Sequence, residues 1–194
     1  MAESLAAAKL ALRDQLLTAR RRRGLAALGE DARSLAGVVL AAPEVRRAAT
    51  VACYVSVGSE PGTGPLLAAL HGAGRRVLLP VLLPDGDLDW APYTGDAGLA
   101  PARRGLLEPV AAPLGVDAVA GADVVLVPGL AVSPSGLRMG RGGGSYDRAL
   151  ARVPLGTFTC CLLHDDEVGL TVPAEPHDRA VTAAATPTRV VRFG

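Results

Sequence analysis

The sequence predicts a three-layer α/β/α domain with a mainly parallel central sheet. Three observations predict it. Short, almost continuously apolar runs rich in Val, Leu, Ala and Cys recur along the chain, as buried parallel strands require. Segments with helical spacing separate them, as crossover connections demand. The 194 residues suffice for one substantial core, and neither a repeat nor an interdomain linker interrupts them, so residues 1–194 are read as a single domain.

The first element is a helix over 3–23, where Leu5, Ala8, Leu12 and Leu16 repeat at helical spacing. Lys9 and Arg13 are four apart and project from one face. Arg20-Arg21-Arg22-Arg23 closes the helix and reads as a solvated last turn that suits the helix dipole, rather than a nucleic-acid patch. A second helix over 29–42 ends at Pro43. Residues 50–55 are β-branched and apolar, a buried strand. A loop through Gly58-Ser59-Glu60-Pro61-Gly62 and a helix over 63–73 lead to a strand over 76–81.

Residues 84–113 are rich in Pro, Gly and Asp, with one strand at 88–93. A buried strand over 122–128 precedes a glycine loop, a helix over 145–152 and a strand at 156–163. Short strands near 181–185 and 188–192 end the chain. In such sheets ligands bind beyond the carboxyl ends of the strands. The loops after Val55 and after Val127 are both such ends, so Glu60 and the glycine loop are expected in one cleft.

Composition excludes several functions. A formal net charge of +1 gives no bulk field for nucleic acid or membrane, and 3% aromatics leave no base-stacking platform. No apolar run reaches the ~20 residues of a membrane span. The charged first fifteen residues contain no signal-peptide core, so a cytoplasmic protein is expected. Cys53, Cys160 and Cys161 read as buried strand residues rather than a redox or metal set. His71, His164 and His177 have no carboxylate or serine at a catalytic spacing and are given no catalytic role. Trp90 reads as core. Lys9 is the only lysine among 20 basic residues, a position where a compact ammonium is needed or where chance has spared one.

The chemistry is concentrated in Arg138-Met139-Gly140-Arg141-Gly142-Gly143-Gly144-Ser145-Tyr146-Asp147. Consecutive glycines let several N–H groups converge on an anion, two guanidiniums add positive charge, and Asp147 can hold a divalent cation. These are parts for gripping a nucleotide phosphate with its magnesium. The run is neither a P-loop nor a dinucleotide fingerprint, because it has no Gly-Lys-Ser/Thr and follows a late strand.

Val127-Pro128-Gly129-Leu130-Ala131 followed by Gly136-Leu137-Arg138 through Asp147 resembles the 5-formyltetrahydrofolate cyclo-ligase family. Lys9-x-x-x-Arg13, Tyr54…Glu60, Leu79-Pro80, Gly105-Leu106-Leu107-Glu108-Pro109 and Val172-Pro173…His177-Asp178 fall in the family's order, so the resemblance spans nearly the whole chain. It implies a Rossmann-like fold of the CoA-transferase-like kind. It also implies an ATP- and Mg2+-dependent ligase that converts 5-formyltetrahydrofolate to 5,10-methenyltetrahydrofolate, ADP and phosphate through a phosphorylated formyl oxygen.

By the same resemblance, Lys9, Arg13, Arg138, Met139, Gly140, Arg141, Gly142, Gly143, Gly144, Ser145 and Tyr146 would bind ATP. Arg141, Tyr146 and Asp147 would serve catalysis, and Asp147 and Asp178 would hold Mg2+. Glu60 would bond the pterin, with Val55 and Tyr146 lining the folate pocket. The expected partners are small molecules, with no nucleic acid or membrane, and the expected state is a monomer. Ser145 stands where many members have tyrosine, Gly143 where some have lysine, and Val132-Ser133 where an aromatic and an acidic residue are usual. Another ATP-dependent enzyme on the same scaffold, acting on a different formyl or amide compound, is one alternative. A non-catalytic nucleotide- or folate-binding module is the other.

Overall fold

The computed structural model describes residues 2–173, 175 and 178–194. Helix α1 runs Ala2–Arg21, α2 Leu25–Ala41 and the short α3 Pro43–Arg47. Pro43 thus begins a helix as well as ending one, because a missing N–H costs nothing in a first turn. Strand β1 (Thr50–Ala52), helix α4 (Gly64–Gly72), and strands β2 (Arg76–Leu82) and β3 (Leu88–Pro92) follow. Then come β4 (Leu99–Pro101), β5 (Leu107–Pro109), β6 (Val124–Pro128), β7 (Ala131–Val132) and β8 (Arg138–Met139). Helix α5 (Ser145–Arg152), β9 (Phe158–Leu162), β10 (Ala183–Ala185) and β11 (Val190–Arg192) complete the chain.

Seven strands form one sheet in the order β11-β10-β9-β6-β1-β2-β3. The inner five are parallel and the two edges antiparallel. Strand periodicity sorts the side chains to two faces. Leu126, Cys160 and Leu162 join Leu35 and Val39 of α2 and Leu66, Leu67 and Leu70 of α4 in one core. Val125, Val127 and Cys161 join Trp90, Val119, and Ala149 and Leu150 of α5 in the other. Two cores on opposite faces are the three expected layers. The adjacent cysteines point to opposite faces, and desolvation pushes the Cys53 and Cys161 thiols up to about 12, which suits packing residues. Trp90 is fully buried.

Chain direction reverses beside β1. The chain moves from β1 toward β2 on one side, then returns to β6 and continues to β9 and β10 on the other. The crevice between the carboxyl ends of β1 and β6 is therefore the topological switch point, where open α/β sheets hold their ligands.

Three expectations need correction. The β4–β5 hairpin occupies a stretch read as loop, because its three-residue strands are too short to show alternation. Strands β7 and β8 form a hairpin ahead of the glycine loop for the same reason. The arginine run is not uniformly solvated. Arg20 is 1% exposed and forms two hydrogen bonds to the Glu167 carboxylate, Nε to Oε1 at 2.7 Å and Nη2 to Oε2 at 2.8 Å. Arg23 pairs with Asp166, while Arg21 and Arg22 are exposed. Helical geometry turns four consecutive residues to four directions, so one of them has to face the body of the protein.

Candidate active site

Helix α1 lies over the carboxyl ends of the strands. Leu12, Leu16 and Leu17 pack on Leu130, Ala131, Met139 and Val172 in a third apolar cluster. Arg20 fixes the far end of the helix, since its Nη2 also donates to the Gly129 carbonyl at 2.6 Å. A pair this buried is costly to desolvate, but with three hydrogen bonds it pins α1 to the end of β6. That pinning holds Lys9 and Arg13, about three and two turns earlier, over the crevice.

The loop after β1 is equally determined. The buried Thr63 hydroxyl donates to the Tyr54 carbonyl at 2.7 Å and accepts from the Ser56 N–H, while the Thr63 N–H donates to the Ser56 hydroxyl. Glu60 Oε2 accepts the Val57 N–H at 2.8 Å, which folds the carboxylate back toward the cleft. His164, buried after β9, reaches the Ser59 carbonyl through Nε2 at 3.2 Å, and its own N–H donates to Glu167. Desolvation pushes the His164 pKa down, so the ring stays neutral near pH 7 and serves as a brace.

The glycine loop starts from the β7–β8 hairpin. Arg138 is 4% exposed; its Nη1 donates to the Pro128 carbonyl and its Nη2 pairs with Asp147 Oδ1 at 2.9 Å. Arg13 Nε donates to the Gly140 carbonyl at 3.2 Å. Gly142 has φ +98°, and a Cβ there would lie 3.3 Å from the Arg13 guanidinium carbon. The positive φ calls for glycine, and an added Cβ would also press on the Arg13 guanidinium. Gly144 caps α5 in a left-handed conformation, and residues 145–147 form the first turn of that helix, where N–H groups face the cleft end. Ser145 donates its hydroxyl to the Gly86 carbonyl, which ties the β2–β3 turn to this loop.

These pieces enclose a cleft of about 460 Å³. Every residue singled out from the sequence lines it: Lys9, Arg13, Val55, Glu60, Asp178, and all of 138–147. His177 lies outside the described residues. His71 is exposed on α4 and stacks edge-on with Tyr93, away from the cleft. The cleft also takes in Leu82, Leu88, Arg104 and Glu175, which the sequence did not single out, and Tyr54 and Glu108, named there only within family-like segments and given no role. Glu108 and Glu175 fall within quoted family segments, a signal that could have found them. For Arg104 and the leucines no local signal exists.

Electrostatics divide the cleft into paired charges. Lys9 Nζ donates to Glu175 Oε2 at 2.5 Å and to Asp178 Oδ2 at 2.7 Å. Arg141 Nη2 sits 3.2 Å from Glu60 Oε1. Half-buried Tyr146 has its phenol pushed far up by desolvation, then by nearby Cys53 and Glu60, so it remains a proton donor and not a base.

The two candidate metal ligands share one corner. The N–H of Arg179, the residue after Asp178, points to Asp147 Oδ1 at 3.4 Å. Among the described residues no three metal-binding side chains cluster. Two carboxylates beside a cationic glycine loop fit the chemistry of Mg2+, which keeps waters and takes phosphate oxygens with only one or two protein carboxylates.

Comparison with known proteins follows the same lines. A model of the 5-formyltetrahydrofolate cyclo-ligase family matches residues 5–187. A 5-formyltetrahydrofolate cyclo-ligase of Mycolicibacterium smegmatis is 45% identical over 145 residues, covering 72% of this chain and 74% of that protein. One of Escherichia coli is 35% identical over 156 residues, covering 76% and 83%. The fold of Aquifex aeolicus 5,10-methenyltetrahydrofolate synthetase superposes with TM-score 0.82 at 24% identity, over 95% of this chain and 92% of that one. That of the Mycoplasma pneumoniae synthetase superposes with TM-score 0.72 at 17% identity, over 92% and 98%.

Proposed function

Because the chain belongs to the 5-formyltetrahydrofolate cyclo-ligase family, we propose that its cleft closes 5-formyltetrahydrofolate to 5,10-methenyltetrahydrofolate at the expense of ATP. The observation that carries this reading is the meeting of three chain segments at the switch point: the cationic glycine loop, the Lys9–Arg13 face of α1, and Glu60.

The formyl oxygen is an amide-type oxygen and a poor leaving group. It attacks the γ-phosphorus of ATP, the bond from that phosphorus to the ADP oxygen breaks, and ADP leaves. N10 of the folate then attacks the activated carbon and loses its proton. The carbon–oxygen bond breaks, phosphate departs, and the ring is closed. Phosphoryl transfer of this kind depends on positioning and charge neutralisation more than on covalent help from the protein.

Residues 140–144 offer N–H groups to the triphosphate, and buried Arg138 keeps their hairpin shaped through Pro128 and Asp147. Arg13 braces the same loop from outside while its remaining N–H groups face the phosphates. Lys9 and Arg141 change partners, from Glu175, Asp178 and Glu60 to the incoming phosphates, and Arg141 takes the transferred group. The released Glu60 carboxylate accepts N–H groups of the pterin, with Val55 and Tyr146 along the ring. Asp147 and Asp178 would hold Mg2+, which when bound neutralises charge on the phosphate oxygens.

The test is direct. Folded protein with 5-formyltetrahydrofolate, ATP and Mg2+ should accumulate methenyl-folate absorbance with stoichiometric ADP. Absence of product, or product without ADP, overturns the reading.

A further inference from the structure

Arg104 is the one non-glycine residue with a left-handed backbone among the described residues, at φ 59° and ψ 24°. A side chain bearing a Cβ is disfavoured there, and such outliers concentrate at ligand-binding sites. It sits at the tip of the hairpin between β4 and β5, closed by the Ala102 N–H to the Leu106 carbonyl at 2.9 Å. The hairpin is fixed on the sheet: Glu108 Oε1 accepts the Leu82 N–H at the end of β2 at 2.9 Å. Exposed Arg104 lines the cleft and is engaged in no ion pair found among the described residues.

The cleft has an order along the sheet edge. The glycine loop comes after β6 through the β7–β8 hairpin, Glu60 follows β1, Pro80 and Leu82 belong to β2, and Leu106 and Arg104 lie on the hairpin held against the end of β2. Strands β6, β1 and β2 are neighbours in that order, ~4.8 Å apart, so the hairpin held at β2 lies on the side of Glu60 away from β6. The geometry points to Arg104 as the receptor for the glutamate carboxylates of the folate, with the aminobenzoyl ring lying on Pro80, Leu82 and Leu106. This rests on the cyclo-ligase reading of the cleft. Among the described cations that line the cleft, Lys9, Arg13, Arg138 and Arg141 are each engaged by a carboxylate or a carbonyl of the glycine loop, and Arg104 is the one with no such partner found. A guanidinium offers a carboxylate two parallel N–H bonds, and an exposed turn can also follow a lengthening γ-glutamyl chain.

The experiment compares wild type with Arg104→Gly on 5-formyltetrahydrofolate, its triglutamyl form, and 5-formyltetrahydropteroate, which lacks glutamate. Glycine suits the left-handed turn, so Arg104→Gly should keep or raise Tm. Wild type should prefer the glutamyl substrate over the pteroate by roughly fivefold in kcat/KM, the scale of a solvent-exposed ion pair. In Arg104→Gly that preference should vanish through KM, with kcat on the pteroate unchanged. A preference that survives the substitution, or an equal loss on substrates with and without glutamate, overturns the assignment. If wild type forms no methenyl product from any of the three, the cyclo-ligase reading itself fails and this one falls with it.

Discussion

Arg141 and Glu60 face each other across the cleft at 3.2 Å, one from the glycine loop after β8 and the other from the loop after β1. The arginine side chain is 53% exposed and the glutamate 11%, so the pair contributes little to stability. On the proposed reading its consequence would lie in binding: each group would hold the other until both ligands arrive. Glu60→Gln should therefore raise the folate KM about tenfold, since a neutral amide replaces a charge-assisted acceptor, while the ATP KM stays the same or falls. Steady-state kinetics with each substrate varied in turn would show this, and an unchanged folate KM would remove Glu60 from the pterin site.

Lys9 is held by two carboxylates at 2.5 and 2.7 Å. Burial alone lowers its pKa, but the hydrogen bonds to Asp178 and Glu175 leave it raised. A raised folded pKa stabilises the fold fully below the unfolded value near 10.4 and loses that contribution as pH climbs through the folded value. Lys9→Met should thus lower Tm more at pH 8 than above pH 11, and should raise the ATP KM. Equal Tm losses at both pH values would contradict the pairing.

The buried Arg20–Glu167 pair is a structural tie between α1 and the end of β6. Arg20→Ala leaves the buried Glu167 carboxylate without its counter-charge and the Gly129 carbonyl without its donor, and should cost about 3–5 kcal/mol. Chemical denaturation would measure it. A loss under about 1 kcal/mol would mean that water replaces the guanidinium and that the apolar contacts of Leu12, Leu16 and Leu17, with the Lys9 and Arg13 bonds, hold α1.

Gly142→Ala places a Cβ at φ +98° and 3.3 Å from the Arg13 guanidinium. The expected result is a Tm lowered by a few degrees and ATP binding weakened about tenfold or more, since the loop N–H groups and Arg13 shift together. Calorimetric titration of ATP would read it; unchanged affinity would show that the loop adapts.

Asp147→Asn retains size but removes the charge that faces Arg138 and serves as the candidate magnesium ligand. Turnover should fall about a hundredfold or more, the scale of losing one preorganised electrostatic contact in a transfer site. ATP affinity measured without magnesium should change far less than affinity with it. If both change alike, Asp147 acts through Arg138 and not through the metal.

How much of this was legible beforehand depended on what carries local signal. Apolar runs gave β1, β6 and β9, and helix α5 began at Ser145 as read, because burial and a glycine start mark those elements in sequence. Three-residue strands leave no periodicity, so the β4–β5 hairpin and Arg104 within it stayed hidden. Arg20 was misread because four like charges in a row suggest solvent, while its partner Glu167 lies far along the chain.

The sequence by itself determined the three layers and the contents of the glycine loop that faces the cleft, since strand runs, helical spacing and a ten-residue glycine-arginine motif are all local. Tertiary structure alone decided the rest. It set the switch point between β1 and β6, the pairing of Lys9 with Asp178 and of Arg141 with Glu60, and the closure of the cleft by the β4–β5 hairpin. Those partners are brought together by chain crossovers, and no propensity or spacing within one segment encodes which distant strand end will lie beside it.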